Sequence, residues 1–270
     1  MADKKVILIT GANTGIGYEI VKALYATSVP YELIVGSRIL SKGEDAIAAL
    51  KSEIVSSPSS LSALQIDVSS DASLEAAIKD IIEKHGRIDT LINNAGAGFD
   101  VDIRDSKVGL REGFNAAWDI NVSGTHVLTT LAAPLLLKSA DPRLLFITSG
   151  TSSLIETDPG MWHNMEHLAR LNASPPKGWP KPREFSPIAT YRTTKTGLNM
   201  LMREWVRVLS PGFLATGLAG MGRDNLRKMG ALEPSVGGEF VRDVVEGKRD
   251  ADVGKIISAP VIRSNLIQPW

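Results

Sequence analysis

The stretch Thr10-Gly11-Ala12-Asn13-Thr14-Gly15-Ile16-Gly17 decides how this chain is read. Before it, Val6 to Thr10 is a short apolar run opened by charge and closed by glycine, which predicts a buried strand. After it, from Gly15 to about Ala26, Ile16, Ile20, Val21 and Leu24 recur at helical spacing. Strand, glycine-rich turn and helix therefore follow in direct succession. Glycine permits a tight turn and a close approach of backbone to a ligand. The helix N-terminus behind it offers unpaired N–H groups and a partial positive charge, which suits a phosphate. The spacing is Gly-x3-Gly-x-Gly, which is neither G-x-G-x-x-G nor the Gly-Lys-Ser/Thr of a P-loop. Alone, such a stretch is equally well a simple turn.

The alternation continues outward. Leu33–Ser37 reads as a second strand, and Ser41 with Glu44 three residues on as a capping box opening a helix that turns Ala46, Ile47 and Leu50 inward. Residues 56–60, with Pro58, read as a loop. Leu64–Val68 is a third strand, Asp71–His85 a third helix, Thr90–Asn93 a fourth strand, Trp118–Lys138 one long helix and Leu144–Ser149 a fifth strand. Further on, Val236–Val245 reads as a helix and Gly254–Ser258 as a last strand. Apolar strands alternating with helices predict an α/β fold: a doubly wound, Rossmann-type parallel sheet with helices on both faces, in a single domain over residues 1–270. Residues 156–187 are rich in Pro, His and Trp and poor in strand pattern. They read as an insertion or substrate flap with a short helix near Met161–Leu171, and residues 217–235 as a segment that closes over substrate.

Composition narrows the function. Hydrophobic residues at 43% and charged residues at 22% are ordinary globular values, so disorder is excluded. Thirty basic and thirty acidic residues give no electrostatic ground for a nucleic-acid or anionic-membrane partner. The absence of cysteine removes disulfides, thiolate nucleophiles and thiolate-bound metals. No stretch approaches the ~18 apolar residues of a spanning helix, and Val6–Ile9 is too short for a signal-peptide core. A soluble, cytoplasmic protein is expected. The Asn-x-Ser triplets at Asn121 and Asn172 are then chance matches.

The second strand indicates the ligand. In a dinucleotide fold this strand ends near the adenosine ribose, where an acid binds the 2′-hydroxyl and arginine favours a 2′-phosphate. Here it ends Gly36-Ser37-Arg38 with no acid. Arg38 can pair with that phosphate and Ser37 can add a hydrogen bond, so NADP(H) is the expected cofactor rather than NAD(H). Asp67 and Val68, closing the third strand, are expected beneath the adenine edge.

At Asn93-Asn94-Ala95-Gly96 the set becomes familiar. With Thr10–Gly17, Ile147-Thr148-Ser149, Tyr191-Arg192-Thr193-Thr194-Lys195 and Pro211-Gly212, the chain resembles the short-chain dehydrogenase/reductase family over about residues 5 to 220, and in particular its carbonyl-reductase-like branch. Each motif alone is weak: Tyr-x3-Lys is common by chance, and Ser149 alone could be a strand cap. Their joint order carries the resemblance. It implies that Gly11, Asn13, Gly15, Ile16 and Gly17 hold the pyrophosphate and nearby ribose, that Asn94, Ala95 and Gly96 line the floor under the riboses, and that Phe213 and Thr216 hold the nicotinamide carboxamide and pyrophosphate. It implies a catalytic group of Asn121, Ser149, Tyr191 and Lys195, with Tyr191 and Lys195 also touching the cofactor.

The chemistry explains these residue types. Hydride transfer to a carbonyl develops an alkoxide that needs a proton, while the cofactor supplies the hydride. A free tyrosine, with a pKa near ~10, exchanges protons poorly at neutral pH, and a nearby cation is expected to lower it. Tyr191 and Lys195 stand one helical turn apart, on one face. Ser149 is expected to orient the substrate oxygen and Asn121 to support a water relay to Lys195. The leading reading is an NADP(H)-dependent oxidoreductase interconverting a carbonyl and a secondary alcohol. Trp162, Trp179 and Phe213 suggest an apolar wall for a bulky or aromatic ketone such as a secondary metabolite. Monomer and homo-oligomer are both open.

Two features compete. His163-Asn164-Met165-Glu166-His167 fits the H-x-x-E-H zinc signature but sits in the insertion, where a flap helix is the plainer reading, and no metal site is expected. Only 14 residues stand between Lys195 and Ser210, too few for a full helix, a turn and a buried strand. Either the helix is cut short and Trp205–Leu209 serves as strand six, or that strand is missing. A shortened site makes an NADP-binding protein without turnover the second reading.

Overall fold

The computed structural model describes residues 4–158, 171–173, 177–179, 188–205, 208–210, 214–218, 222–259 and 267–270. Five parallel strands form the main sheet: β1 (Lys5–Ile9), β2 (Tyr31–Ser37), β3 (Ser60–Gln65), β4 (Thr90–Asn93) and β5 (Arg143–Phe146), in the order β3-β2-β1-β4-β5. Register runs Ile7↔Leu33 and Leu8↔Ile34 on one side of β1, and Ile7↔Thr90 and Leu8↔Leu91 on the other.

The near-continuous apolar strands have a direct cause. Alternate side chains of a strand point to opposite faces, and both faces here are buried. Ile7, Ile9, Leu33 and Val35 enter one core with Ile20, Val21 and Leu24 of α1 (Gly15–Tyr25). Val6, Leu8 and Ile34 enter the other core with Leu74, Ile78 and Ile81 of α3 (Asp71–Lys84). Helix α2 (Leu40–Glu53) adds Ile47 and Leu50 to the first core.

Several boundaries differ from the sequence reading. Helix α2 begins at Leu40 with Ile39 at its N-cap and no side-chain cap, so Ser41 lies inside the first turn and its capping box does not form. Strand β3 starts at Ser60, inside the stretch read as loop, and ends at Gln65 before Asp67 and Val68. It pairs with β2 from Glu32↔Ser60 onward, and that pairing outweighs its polar composition. The long helix is three pieces. After the short α4 (Asp100–Arg104), α5 (Leu110–Trp118) passes through a π-helical turn at Asp119–Ser123 into α6 (Gly124–Leu136). Gly124 is required at that junction, because a Cβ there would lie 1.8 Å from the Val68 carbonyl oxygen. Pro134 is accommodated inside α6.

The shortened region resolves differently from both expectations. Helix α7 runs the full Ala189–Trp205, and β6 (Val208–Ser210) still follows. Strand β6 pairs parallel with β7 (Ile256–Ser258), which pairs antiparallel with β8 (Ile267–Gln268). This second sheet lies beside β5, and among the described residues no ladder joins the two. Helices α8 (Arg223–Lys228) and α9 (Pro234–Val245) complete the described chain. Helix α9 sits against α1, where Gly238 lets the backbones meet: a Cβ there would lie 2.4 Å from the Glu19 carbonyl oxygen.

Candidate active site

The loops that leave the carboxyl ends of β1, β4 and β5 meet around one crevice. The strand order reverses between β1 and β4, the place where open α/β sheets bind ligands. Gly11 and Gly15 both have φ near +60°, which L side chains rarely adopt. Gly17 is pressed against the turn, since a Cβ would stand 2.5 Å from both the Gly11 carbonyl oxygen and Asn94 Nδ2. Thr14, at the N-cap of α1, makes no side-chain cap, so the first N–H groups of that helix keep their donors. Asn13 and Ile16 are half-buried on the same turn.

Thr10 organises the junction of β1 and β4. Its hydroxyl accepts from the Asn94 and Ala95 backbone N–H groups at 3.0 and 2.9 Å. Asn94 Nδ2 donates to the Thr10 and Gly11 carbonyls at 2.8 and 3.2 Å. Thr10 was not singled out in the sequence, although a strand-end threonine before the glycine turn was visible there. Thr216 is brought over the turn despite the shortened chain: its Cγ2 stands 3.7 Å from where a Gly15 Cβ would be. Phe213, Pro211 and Gly212 lie outside the described residues, as do Trp162, His163 and His167.

At the adenosine end the structure modifies the expectation. Arg38 is exposed, and no carboxylate among the described residues pairs with it. Ser37 is buried and its hydroxyl already donates to the Ile39 carbonyl at 2.8 Å. The Asp67 carboxylate is turned onto its own loop, accepting from the Ser69 N–H and hydroxyl. The Val68 side chain is buried in the core with Leu74 and Leu128. These residues line the ends of β2 and β3, but of their side chains only that of Arg38 is left uncommitted.

Four elements gather the polar cluster. Asn121 sits in the π turn, fully buried. Its Oδ1 accepts from the Ala97 N–H at 2.8 Å, and its Nδ2 donates to the Ala97 carbonyl at 2.7 Å and to Thr194 Oγ1 at 2.9 Å. The amide thus ties the loop after β4 to α7, and is more committed to protein than a water-relay role suggests. Gly96 is where the polar heads converge: a Cβ there would lie 3.0 Å from Asn121 Oδ1 and 3.4 Å from Lys195 Nζ.

Lys195 is buried on α7 and donates to the Ile147 carbonyl at 2.9 Å. Burial lowers its pKa to about 8. Its Nζ is 5.8 Å from the centre of the Tyr191 ring. Burial pushes the Tyr191 phenol up to about 12, opposed by a hydrogen bond with the Ser149 side chain. Desolvation is the largest cause for both groups, raising the phenol and lowering the ammonium. The Ser149 hydroxyl also lies 2.9 Å from Thr151 Oγ1 and accepts from the Thr151 N–H at 3.2 Å.

Asp100 is a site residue that the sequence reading missed. It opens α4, yet its two carboxylate oxygens accept from the Thr190 and Tyr191 backbone N–H groups at 2.8 and 3.0 Å. It caps the helix that carries Tyr191, from 90 residues away in the chain. No local spacing reveals a cap supplied from another element.

The residues present fit a dinucleotide: a glycine turn that cannot bear side chains, uncapped helix N–H groups, and a floor at Gly96 kept clear of a Cβ. The short chain dehydrogenase family model matches residues 5–157. A short-chain dehydrogenase/reductase of Phoma sp, eupG, is 43% identical over 99% of this chain and 98% of its own. The enzyme tropE of Talaromyces stipitatus is 40% identical over 100% and 99%. Carbonyl reductase from chicken fatty liver, solved with NADPH bound, superposes with a TM-score of 0.73 at 20% identity, over 99% of each chain, and shares the fold. The chain belongs to the short-chain dehydrogenase family. It is an oxidoreductase that works with a nicotinamide cofactor on a small-molecule substrate. No helix among the described residues is long and apolar enough to cross a membrane.

Proposed function

We propose that the protein reduces a ketone to a secondary alcohol with NADPH, and that Tyr191 is the proton donor. The observation that carries this reading is Tyr191 itself: a phenol hydrogen-bonded to Ser149, with Lys195 one helical turn away and its Nζ 5.8 Å from the ring centre. Bound NADPH supplies the hydride that forms the new C–H bond at the carbonyl carbon. Ser149 donates a hydrogen bond to the substrate oxygen and fixes its place. Tyr191 transfers its phenolic proton to that oxygen, so the products are the alcohol and NADP+, and one proton is drawn from solvent per turnover. Lys195 would hold the ribose of the bound cofactor, and its ammonium, close to the Tyr191 ring, would favour return of a proton to the phenolate. Asn121 holds Ala97 and Thr194 in place beneath it.

Exposed Arg38, with no acid beside it at the end of β2, supports NADP over NAD. The ketone is taken as bulky or aromatic, with 156–187 and 217–235 as the segments that close on it. Trp179, at 89% exposure, does not form a buried wall.

The test is NADPH oxidation by the wild type and Tyr191→Phe over aromatic ketones and quinones. Tyr191→Phe should lower kcat at least ~10²-fold, the usual reach of a general acid, with NADPH binding retained. Arg38→Asp should weaken NADPH binding relative to NADH. Turnover that survives Tyr191→Phe overturns the assignment, and tight NADPH binding without turnover favours the binding-only reading.

A further inference from the structure

The carboxyl-terminal residues Ile267–Trp270 run directly beneath the serine turn. Gln268, on β8, is 1% exposed. Its Nε2 donates to the Ser149 carbonyl at 3.1 Å and lies 3.4 Å from Ser152 Oγ. The same carbonyl already accepts from Ser152 Oγ at 2.6 Å and from the Ser152 N–H at 3.2 Å. A carbonyl oxygen has two lone pairs, so the Gln268 bond is not needed to satisfy it. Gln268 Oε1 is meanwhile buried with no partner. Burying an amide half-unpaired costs free energy, and it is spent on a third bond to one backbone atom of the serine proposed to orient the substrate.

Helix α7 holds the turn from the other side. Thr148 Oγ1 donates to Asn199 Oδ1 at 2.5 Å, Asn199 Nδ2 donates to Ser152 Oγ at 2.8 Å, and Thr196 Oγ1 donates to the Ser152 carbonyl at 2.8 Å. Asn199 is one turn beyond Lys195 and also buried. The Trp270 main-chain oxygen accepts from Ser153 Oγ and the Ile155 N–H, and its ring lies under the Arg203 guanidinium of α7, 4.6 Å away. The serine turn is thus gripped between the helix that bears Tyr191 and the carboxyl-terminal strand.

We propose that Gln268 and Asn199 are positioning residues that fix Ser149 relative to Tyr191, so that the carboxyl-terminal strand belongs to the catalytic apparatus. The inference rests on the reading of Ser149 and Tyr191 above. Neither residue touches the reacting atoms. A small displacement of an orienting group is enough to slow the chemical step without changing the affinity for substrate.

The experiment is a double-mutant cycle of Gln268→Met, which keeps the side chain's length and removes the donor, with Ser149→Ala. NADPH-dependent reduction of menadione and acetophenone is the readout, beside Tm and NADPH affinity. Gln268→Met should lower kcat about tenfold with KM, NADPH affinity and Tm unchanged, and should have no further effect once Ser149 is alanine. Gln268→Glu, which keeps only acceptors, should not restore kcat; Gln268→Asn, which keeps a donor, should restore part of it. If Gln268→Met does not fold, Asn199→Ala goes through the same cycle and decides the matter. An unchanged kcat, or an equal loss in the Ser149→Ala background, overturns the proposal. If Ser149→Ala and Tyr191→Phe leave wild-type rates intact, or the wild type reduces neither probe, the underlying reading fails and this inference falls with it.

Discussion

Lys195 and Tyr191 shift in opposite directions for one reason: burial penalises whichever form is charged. The consequence for stability has a definite sign. Lys195 has a folded pKa near 8 against an ordinary value of 10.5, so between these the unfolded chain binds the extra proton and stability rises with pH. Tyr191, raised from 10.0 to about 12, acts oppositely above pH 10, where the unfolded chain loses the proton first. The wild type should gain thermal stability from pH 8 to 10 relative to Lys195→Met, and Tm measured for both across that range checks it. A parallel pH dependence in the two proteins would show that Lys195 is not desolvated. These residues were legible in the sequence because Tyr-x3-Lys and the Ile-Thr-Ser triplet are local patterns, although β5 ends at Phe146 and leaves Ser149 in the loop beyond it rather than at the strand's end. Their environment was not, since desolvation and the Ile147 carbonyl acceptor come from elements far away in the chain.

At the scale of elements, the sequence located helices and strands better than their junctions. Apolar periodicity placed β1, β4, α1 and α3 within a residue or so of where they lie. It could not show the π turn at Asp119–Ser123, because one extra residue in a helical ladder leaves the apolar pattern nearly intact. Asn121 lies within that turn and bonds from it to Ala97 and Thr194. π turns inside helices frequently mark functional sites. The cap on α7 was equally hidden. Replacing an N-cap acid with alanine typically costs about 0.5–2 kcal/mol. Asp100→Ala should lose about that much in urea unfolding and Asp100→Asn less, because the asparagine oxygen still accepts from Thr190 or Tyr191. A loss no larger for Asp100→Ala than for an exposed Asp45→Ala control would show that the cap contributes nothing.

For the molecule as a whole, the doubly wound sheet was readable from the alternation of elements, whereas its second half was not. The short count between Lys195 and Ser210 argued for a truncated helix or a missing strand. The chain keeps both, and among the described residues no ladder joins β5 to the second sheet. What holds the later segments on is packing. Phe240, Val241, Val244 and Val245 of α9 complete the first core, and Gly238 lets that helix sit on α1. Overpacking a close helix contact costs typically ~1–3 kcal/mol, occasionally more. Because the Glu19 backbone has little room to give, Gly238→Val should fall at or above the upper end, read as a fall in Tm and in the urea midpoint. A variant as stable as the wild type would show that α9 docks more loosely.

Strand β8 has one more consequence, for association between molecules. It pairs along β7 on the side away from β6, through Ile267 and Gln268 among the described residues. A second molecule seeking to extend the sheet through β7 would first have to peel β8 away, and Gln268 would leave the Ser149 carbonyl with it. Pairing at the β7 edge and the Gln268 bond to the serine turn therefore compete for the same segment of chain.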